Sequence, residues 1–140
     1  QPIANERWIG ARGRPTTLNG VVARTRPCAT LAGAHLATTG PAHFTEEEKP
    51  RFDALGAASR DILWGGDCYN YALLASGHLD LVAEAGLKLY DLAALVPVVE
   101  GAGGRMCDWQ GAPLTSASDG RVLAAGDPGL IEAALRVLAA

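Results

Sequence analysis

Three carboxylates in the stretch from Trp64 to Gly104 stand where chemistry could use them: Asp67, Glu84 and Asp91. Asp91 follows Tyr90 at the expected start of a helix, just after a strand and a short loop. An acid there can cap the helix, because free N–H groups and the helix dipole favour negative charge. It can also ligate a hard cation such as Mg2+, which takes oxygen donors. Glu84 closes a mostly apolar strand, Leu79–Glu84. The carboxyl ends of strands are where α/β folds place their active-site residues, so Glu84 could accept a substrate hydroxyl or ammonium group. The alternative is a solvated strand end. Trp64-Gly65-Gly66-Asp67 sets an aromatic ring, two glycines and an acid at a strand-to-helix turn. Glycines there admit a ligand to the backbone, and a carboxylate beside an aromatic ring could hold a cationic head group. The alternative is a tight turn with Asp67 as N-cap.

The elements that must position these residues can be read from pattern. Glu6–Arg12 has an extended pattern, and Asn19-Gly20 is a hairpin signal leading into Val21-Val22. A strand is expected within Leu31–Thr39. Thr45-Glu46-Glu47-Glu48 has the form of a capping box, opening a helix to about Ser59. A strand follows over Arg60–Trp64, a helix over about Cys68–Ser76, and the strand ending at Glu84. The helix opened by Tyr90-Asp91 should run to about Ala102, with Pro97 inside it as a bend or break. Gly101-Ala102-Gly103-Gly104 follows a helix, so it reads as a C-cap and not as a phosphate cradle, which would open one. Strands at Arg105–Asp108 and Val122–Ala125 precede a last helix with Asp127 at N-cap and Pro128 at N1. Strands alternating with helices from residue 31 onward make the chain an α/β layer fold. The opening hairpin belongs to something else, such as the sheet of a preceding domain.

Composition narrows the partners. The 140 residues are 49% apolar and 19% charged, enough for a real core, with a net charge of −3. An acidic chain with pI near 5.5 lacks the clustered positive charge of a nucleic-acid or anionic-membrane surface. No segment approaches the roughly 18 uninterrupted apolar residues of a membrane span. Cys28, Cys68 and Cys107 are widely spaced, with no CxxC pair and no zinc spacing. They read as small buried apolar residues, and an odd number of separated thiols suits a reducing, cytoplasmic setting. The three histidines are scattered, and no Ser-His-Asp or Cys-His arrangement is present.

Taken together, these pieces resemble the inositol monophosphatase superfamily. The resemblance rests on Tyr90-Asp91 opening the stretch that ends in Glu100-Gly101-Ala102-Gly103-Gly104. It also rests on Ala-Ser-Gly-His-Leu-Asp at 75–80, on Glu84, and on Glu6-Arg7-Trp8 with Gly10, Ala11, Gly13 and the Asn19-Gly20 turn. The family usually has Trp-Asp where Tyr90-Asp91 stands. The finer resemblance is to the histidinol-phosphate phosphatases of bacteria and plants. It is carried by Trp-Gly-Gly-Asp-Cys-Tyr (64–69), Leu-Lys-x-Tyr-Asp (87–91), Ala-Leu-Val-Pro (94–97), Asp-Trp-x-Gly (108–111) and Thr38-Thr39-Gly40-Pro41 before Phe44-Thr45.

The resemblance implies Mg2+-dependent hydrolysis of a small phosphate monoester, best matched by L-histidinol phosphate. Inositol monophosphate or another sugar phosphate is the alternative within enzymes, and a non-catalytic binding module the alternative outside them. It implies Asp91 as a metal ligand and Asp67, Glu84, Trp64 and Gly66 as substrate contacts. The family's other metal ligands lie in a Glu-Glu motif and an Asp-Pro-Ile/Leu-Asp-Gly-Thr motif, and neither occurs here. The expectation is therefore a C-terminal half. Residues 1–29 would be the last hairpin of the first domain, and residues 30–140 the second α/β layer domain of an αβαβα sandwich. Such a half would be inactive alone, would need its N-terminal partner half, and in the family pattern would form a homodimer.

Overall fold

The chain builds two separate sheets in a computed structural model that describes residues 1–139. The first is an antiparallel meander of β1 (Trp8–Ile9), β2 (Thr17–Leu18) and β3 (Val21–Val22). Asn19 and Gly20, between β2 and β3, both have positive φ, at 50° and 85°. That is the primed turn the Asn-Gly pair favours. Asn19 also ties the meander together: its Oδ1 accepts the Arg7 N–H and its Nδ2 donates to the Asn5 carbonyl, each at 2.9 Å.

The second sheet holds β4 (His35–Thr38), β5 (Asp61–Trp64), β6 (Leu81–Glu84), β7 (Arg105–Cys107) and β8 (Val122–Ala125), in the order β5-β4-β6-β8-β7. β4 runs parallel to both β5 and β6, whereas β8 is antiparallel to both β6 and β7. Five helices accompany it: α1 (Glu48–Ala58), α2 (Tyr69–Ala75), α3 (Leu89–Leu92), α4 (Leu95–Gly101) and α5 (Gly129–Leu138). Alternate strand residues feed alternate faces. Leu36, Leu81, Ala83, Leu123 and Cys107 pack with Phe52 of α1 and Ile131 of α5. Ala37, Val82, Val122, Ala124 and Met106 pack with Tyr71 of α2 and Val99 of α4. The mixed α/β layer architecture expected from the sequence is the one observed.

The connection leaving β4 runs to β5 on one side, and the connection leaving β6 runs toward β7 on the other. Between two neighbouring strands whose connections diverge, the carboxyl edge of a sheet opens into a crevice. The local devices are mostly those the sequence signals. Thr45 Oγ1 accepts the Glu48 N–H at 3.2 Å, and Glu48 Oε2 accepts the Thr45 N–H at 2.9 Å, completing the capping box. Asp127 Oδ1 accepts the Gly129 N–H at 2.9 Å.

Several expectations need correction. The strand expected within Leu31–Thr39 begins only at His35, because Leu31–Gly33 turns as a short 3-10 helix. The single helix from Tyr90 to Ala102 is two, broken at Ala93-Ala94. Pro97 lies in the first turn of α4, where its missing N–H is no loss. α4 ends in a Schellman motif: Gly104 N–H reaches the Val99 carbonyl at 3.1 Å and Gly103 N–H the Glu100 carbonyl at 3.0 Å, with Gly103 at φ 103°. Of the three thiols, only Cys107 is buried. Cys28 is partly buried and Cys68 is exposed.

The meander docks on α4 and α2. Buried Thr16 donates its hydroxyl to the Val98 carbonyl at 2.7 Å and its N–H to the Gly101 carbonyl at 2.9 Å. A β-carbon at Gly101 would stand 2.5 Å from Thr16 Oγ1 and 2.7 Å from the Arg14 carbonyl, so only glycine admits this approach. Trp8 Nε1 donates to Ser76 Oγ at 2.8 Å, and the Tyr69 hydroxyl to Glu6 Oε2 at 2.7 Å. Asp80, in the family-like 75–80 stretch, is a structural knot at the amino ends of β4 and β6. Its buried carboxylate takes both Arg26 Nε (2.8 Å) and Nη2 (2.6 Å), and the His35 N–H at 2.8 Å.

Candidate functional site

The crevice at the carboxyl ends of β4, β5 and β6 is a cavity of about 700 Å3, and its wall includes Thr39, Asp67, Tyr71, Glu84, Lys88 and Asp91. Each acid arrives by a different route. Glu84 is the last residue of β6 and is nearly fully buried. The solvated strand end considered from sequence is therefore not what forms. Its Oε1 accepts two bonds from Thr39, just past β4: the backbone N–H at 2.9 Å and the hydroxyl at 2.6 Å. Its Oε2 has only a 3.4 Å contact from the Tyr71 hydroxyl on α2. One oxygen is thus saturated, and the other is short of a strong donor. Burial pushes the Glu84 carboxyl above its ordinary range. The Thr39 and Tyr71 hydrogen bonds pull it back, and the nearby Asp67 charge adds to the rise. Burial and the adjoining Glu84 charge likewise push the Tyr71 phenol well above its ordinary value.

Asp67 reaches the cavity through an unusual turn. Gly65, Gly66 and Asp67 have φ of 92°, 99° and 44° in succession, a left-handed run that glycine makes easily and aspartate tolerates. Asp67 does not cap α2 through its side chain: α2 begins at Tyr69 with no side-chain cap, and Asn70 N–H bonds the Asp67 carbonyl instead. The carboxylate is left for the cavity. Asp91 sits in α3 and does serve its helix: Oδ2 accepts the Lys88 N–H at 2.7 Å. Capping and cavity-lining are compatible here, because the second oxygen has no partner among the described residues.

Trp64 and Gly66 are placed differently. The Trp64 ring is half exposed and packs edge-on against Phe52, with centroids 5.7 Å apart, outside the cavity wall. A β-carbon at Gly66 would stand 2.4 Å from Asn70 Oδ1, and Asn70 Nδ2 bonds the Gly65 carbonyl at 2.8 Å. Gly66 therefore shapes the turn that presents Asp67. Thr39 and Tyr71 escaped the sequence reading as site residues. Thr38-Thr39-Gly40-Pro41 was visible as a motif, but its tie to Glu84 follows only from β4 lying beside β6.

The donor set bears on metal chemistry. Among the described residues no three His, Cys, Asp or Glu side chains gather closely enough to hold a metal ion. Mg2+ demands near-octahedral oxygen coordination. Asp91 is one oxygen donor of the kind such an ion takes, and among the described residues no set of acids gathers around it. Nor, among the described residues, is any helix long and apolar enough to cross a membrane.

Comparison with known proteins agrees with this architecture. The model of the inositol monophosphatase family matches residues 1–139. The chain is 48% identical to the chloroplastic bifunctional phosphatase IMPL2 of Arabidopsis thaliana, over 99% of this chain and 42% of that protein. It is 30% identical to the histidinol-phosphatase of Mycobacterium tuberculosis, over 79% of this chain and 45% of that one. A solved inositol monophosphatase from Zymomonas mobilis superposes with a TM-score of 0.98 at 56% identity, covering all of this chain and 55% of the other. The chain therefore spans about half the length of the relatives it matches. On fold and on sequence alike, it belongs to the inositol monophosphatase family of phosphatases.

Proposed function

We propose that this chain is the head-group-binding part of a Mg2+-dependent phosphomonoesterase that converts L-histidinol phosphate to L-histidinol and inorganic phosphate. The observation that carries the reading is the pairing of Asp67 and Glu84 in one cavity wall, with Glu84 Oε2 lacking a strong donor. Two carboxylates suit an ammonium group and an imidazolium, both of which can donate to them with charge assistance. A neutral polyol would gain less. Asp91, whose second oxygen has no partner among the described residues, is the residue we assign to the metal. When bound, Mg2+ would supply charge neutralisation at the phosphate and an activated water. Its remaining ligands, the N-terminal half that would carry them (with residues 1–29 as part of that half's sheet) and a homodimeric assembly belong to the same proposal. Similarity to a histidinol-phosphatase supports the branch. Similarity to an inositol monophosphatase supports the second reading, a sugar phosphate in the same cavity.

The test is phosphate release from L-histidinol phosphate and from inositol 1-phosphate, with Mg2+ and with chelator. It is run on the chain alone and on the chain joined to an upstream half bearing the two acidic motifs. The expected result is metal-dependent release from histidinol phosphate by the joined protein only. Asp67→Ala should raise KM for histidinol phosphate at least tenfold, the loss of a charge-assisted contact, while barely affecting inositol phosphate. Preferential release from inositol phosphate would move the chain to the second reading.

A further inference from the structure

We propose that Thr39 is a positioning residue for head-group specificity: by binding one oxygen of Glu84 twice, it fixes the direction in which the other oxygen faces the cavity. This deepens the functional reading above and rests on it. The geometry is specific. Thr39 lies just past β4, Glu84 ends β6, and the two strands are hydrogen-bonded neighbours, so backbone register places them side by side. The N–H and hydroxyl of a single residue both converge on Oε1, at 2.9 and 2.6 Å. A buried acid beside a second acid would otherwise favour its neutral form. Neutral, Glu84 would discriminate poorly between a cationic head group and a polyol hydroxyl. Two donors on one oxygen favour the charged form and leave Oε2 for the substrate. The Tyr71 hydroxyl, at 3.4 Å, is too distant to replace them.

Thr39→Val keeps the shape and the backbone N–H but removes the hydroxyl donor, and Thr39→Ser restores it. In the joined protein, Thr39→Val should raise KM for histidinol phosphate about tenfold. Its kcat, and its KM for inositol 1-phosphate, should change less than about twofold. Thr39→Ser should recover most of the loss. The penalty should shrink as pH rises, because Glu84 then ionises without help. His43, Asp67, Cys68, Tyr71, Lys88, Tyr90 and Asp91 also line the cavity, but both proteins carry them, so the ratio of variant to wild type isolates Glu84. In parallel, carboxyl-carbon NMR on the chain alone should show the Glu84 midpoint moving upward in Thr39→Val and returning in Thr39→Ser. Equal losses on both substrates, or an unmoved Glu84 midpoint, would overturn the proposal. If wild type does not hydrolyse histidinol phosphate, the functional reading fails, and the NMR titration still decides whether Thr39 governs Glu84.

Discussion

Asp80→Asn tests whether the knot at the amino ends of β4 and β6 holds the domain. The wild-type carboxylate accepts three hydrogen bonds, two from Arg26 and one from the His35 N–H. An amide of the same shape keeps one acceptor oxygen and turns the other position into a donor, facing donors. Removing one partner of a buried ion pair typically costs about 3–5 kcal/mol. Asp80 is 1% exposed but the Arg26 side chain is 39% exposed, so the guanidinium can recover water, and the lower end applies, about 3 kcal/mol. For a chain of this size that lowers Tm by about 10 °C.

The pH dependence of that loss has a definite sign. Burial alone would raise the Asp80 carboxyl, but the Arg26 and His35 bonds outweigh it and hold it below the ordinary aspartate range. A folded value below the unfolded one gives stability that is present above the unfolded value and lost as pH falls through the folded one. The difference between wild type and Asp80→Asn should therefore shrink in acid. Glu84, which is raised, is common to both proteins and cancels. Urea unfolding followed by tryptophan fluorescence at neutral pH and through the acid range measures both quantities. A loss under about 1 kcal/mol, or a difference that stays constant into acid, would refute the argument.

Two other perturbations are decided by the same structure. Gly101→Ala drives a β-carbon into Thr16 Oγ1 and the Arg14 carbonyl; it should cost about 1–3 kcal/mol and free the opening meander, seen as faster amide exchange at Thr16 and Ala23 than in the rest of the chain. A thiol reagent should label exposed Cys68 first and Cys107 only on unfolding, since burial pushes the Cys107 thiol to about 11 and closes off access; prompt native-state labelling of Cys107 would contradict the packing.

What was legible in the sequence is what local physics dictates. The Asn19-Gly20 turn, the Thr45/Glu48 box, the Asp127 cap and the strand ending at Glu84 each depend on a few neighbouring residues, and each forms. The three acids could be picked out because each stands at a strand end, a glycine turn or a helix start. Less legible was whatever depends on strands far apart in sequence lying side by side. Thr39 and Glu84 are 45 residues apart, and nothing in either segment announces the other. Trp64 shows the converse. Its neighbourhood to Asp67 suggested a shared ligand, yet alternation along β5 and packing on Phe52 turn the ring elsewhere. The break at Ala93-Ala94 was missed because both halves are apolar and helix-forming, and Pro97 drew attention to the wrong residue.

The sheet divides its labour end to end. Asp80, Arg26 and His35 secure the amino edge, while Thr39, Asp67 and Glu84 line the carboxyl edge, one strand length away. Sites that far apart, with no shared partner, change stability nearly independently. A lineage carrying this domain can therefore exchange the residues that line the cavity without loosening the knot that keeps the sheet together. The cavity wall can be varied by single substitutions at Thr39, Asp67 and Glu84, one strand length from the residues that secure the sheet.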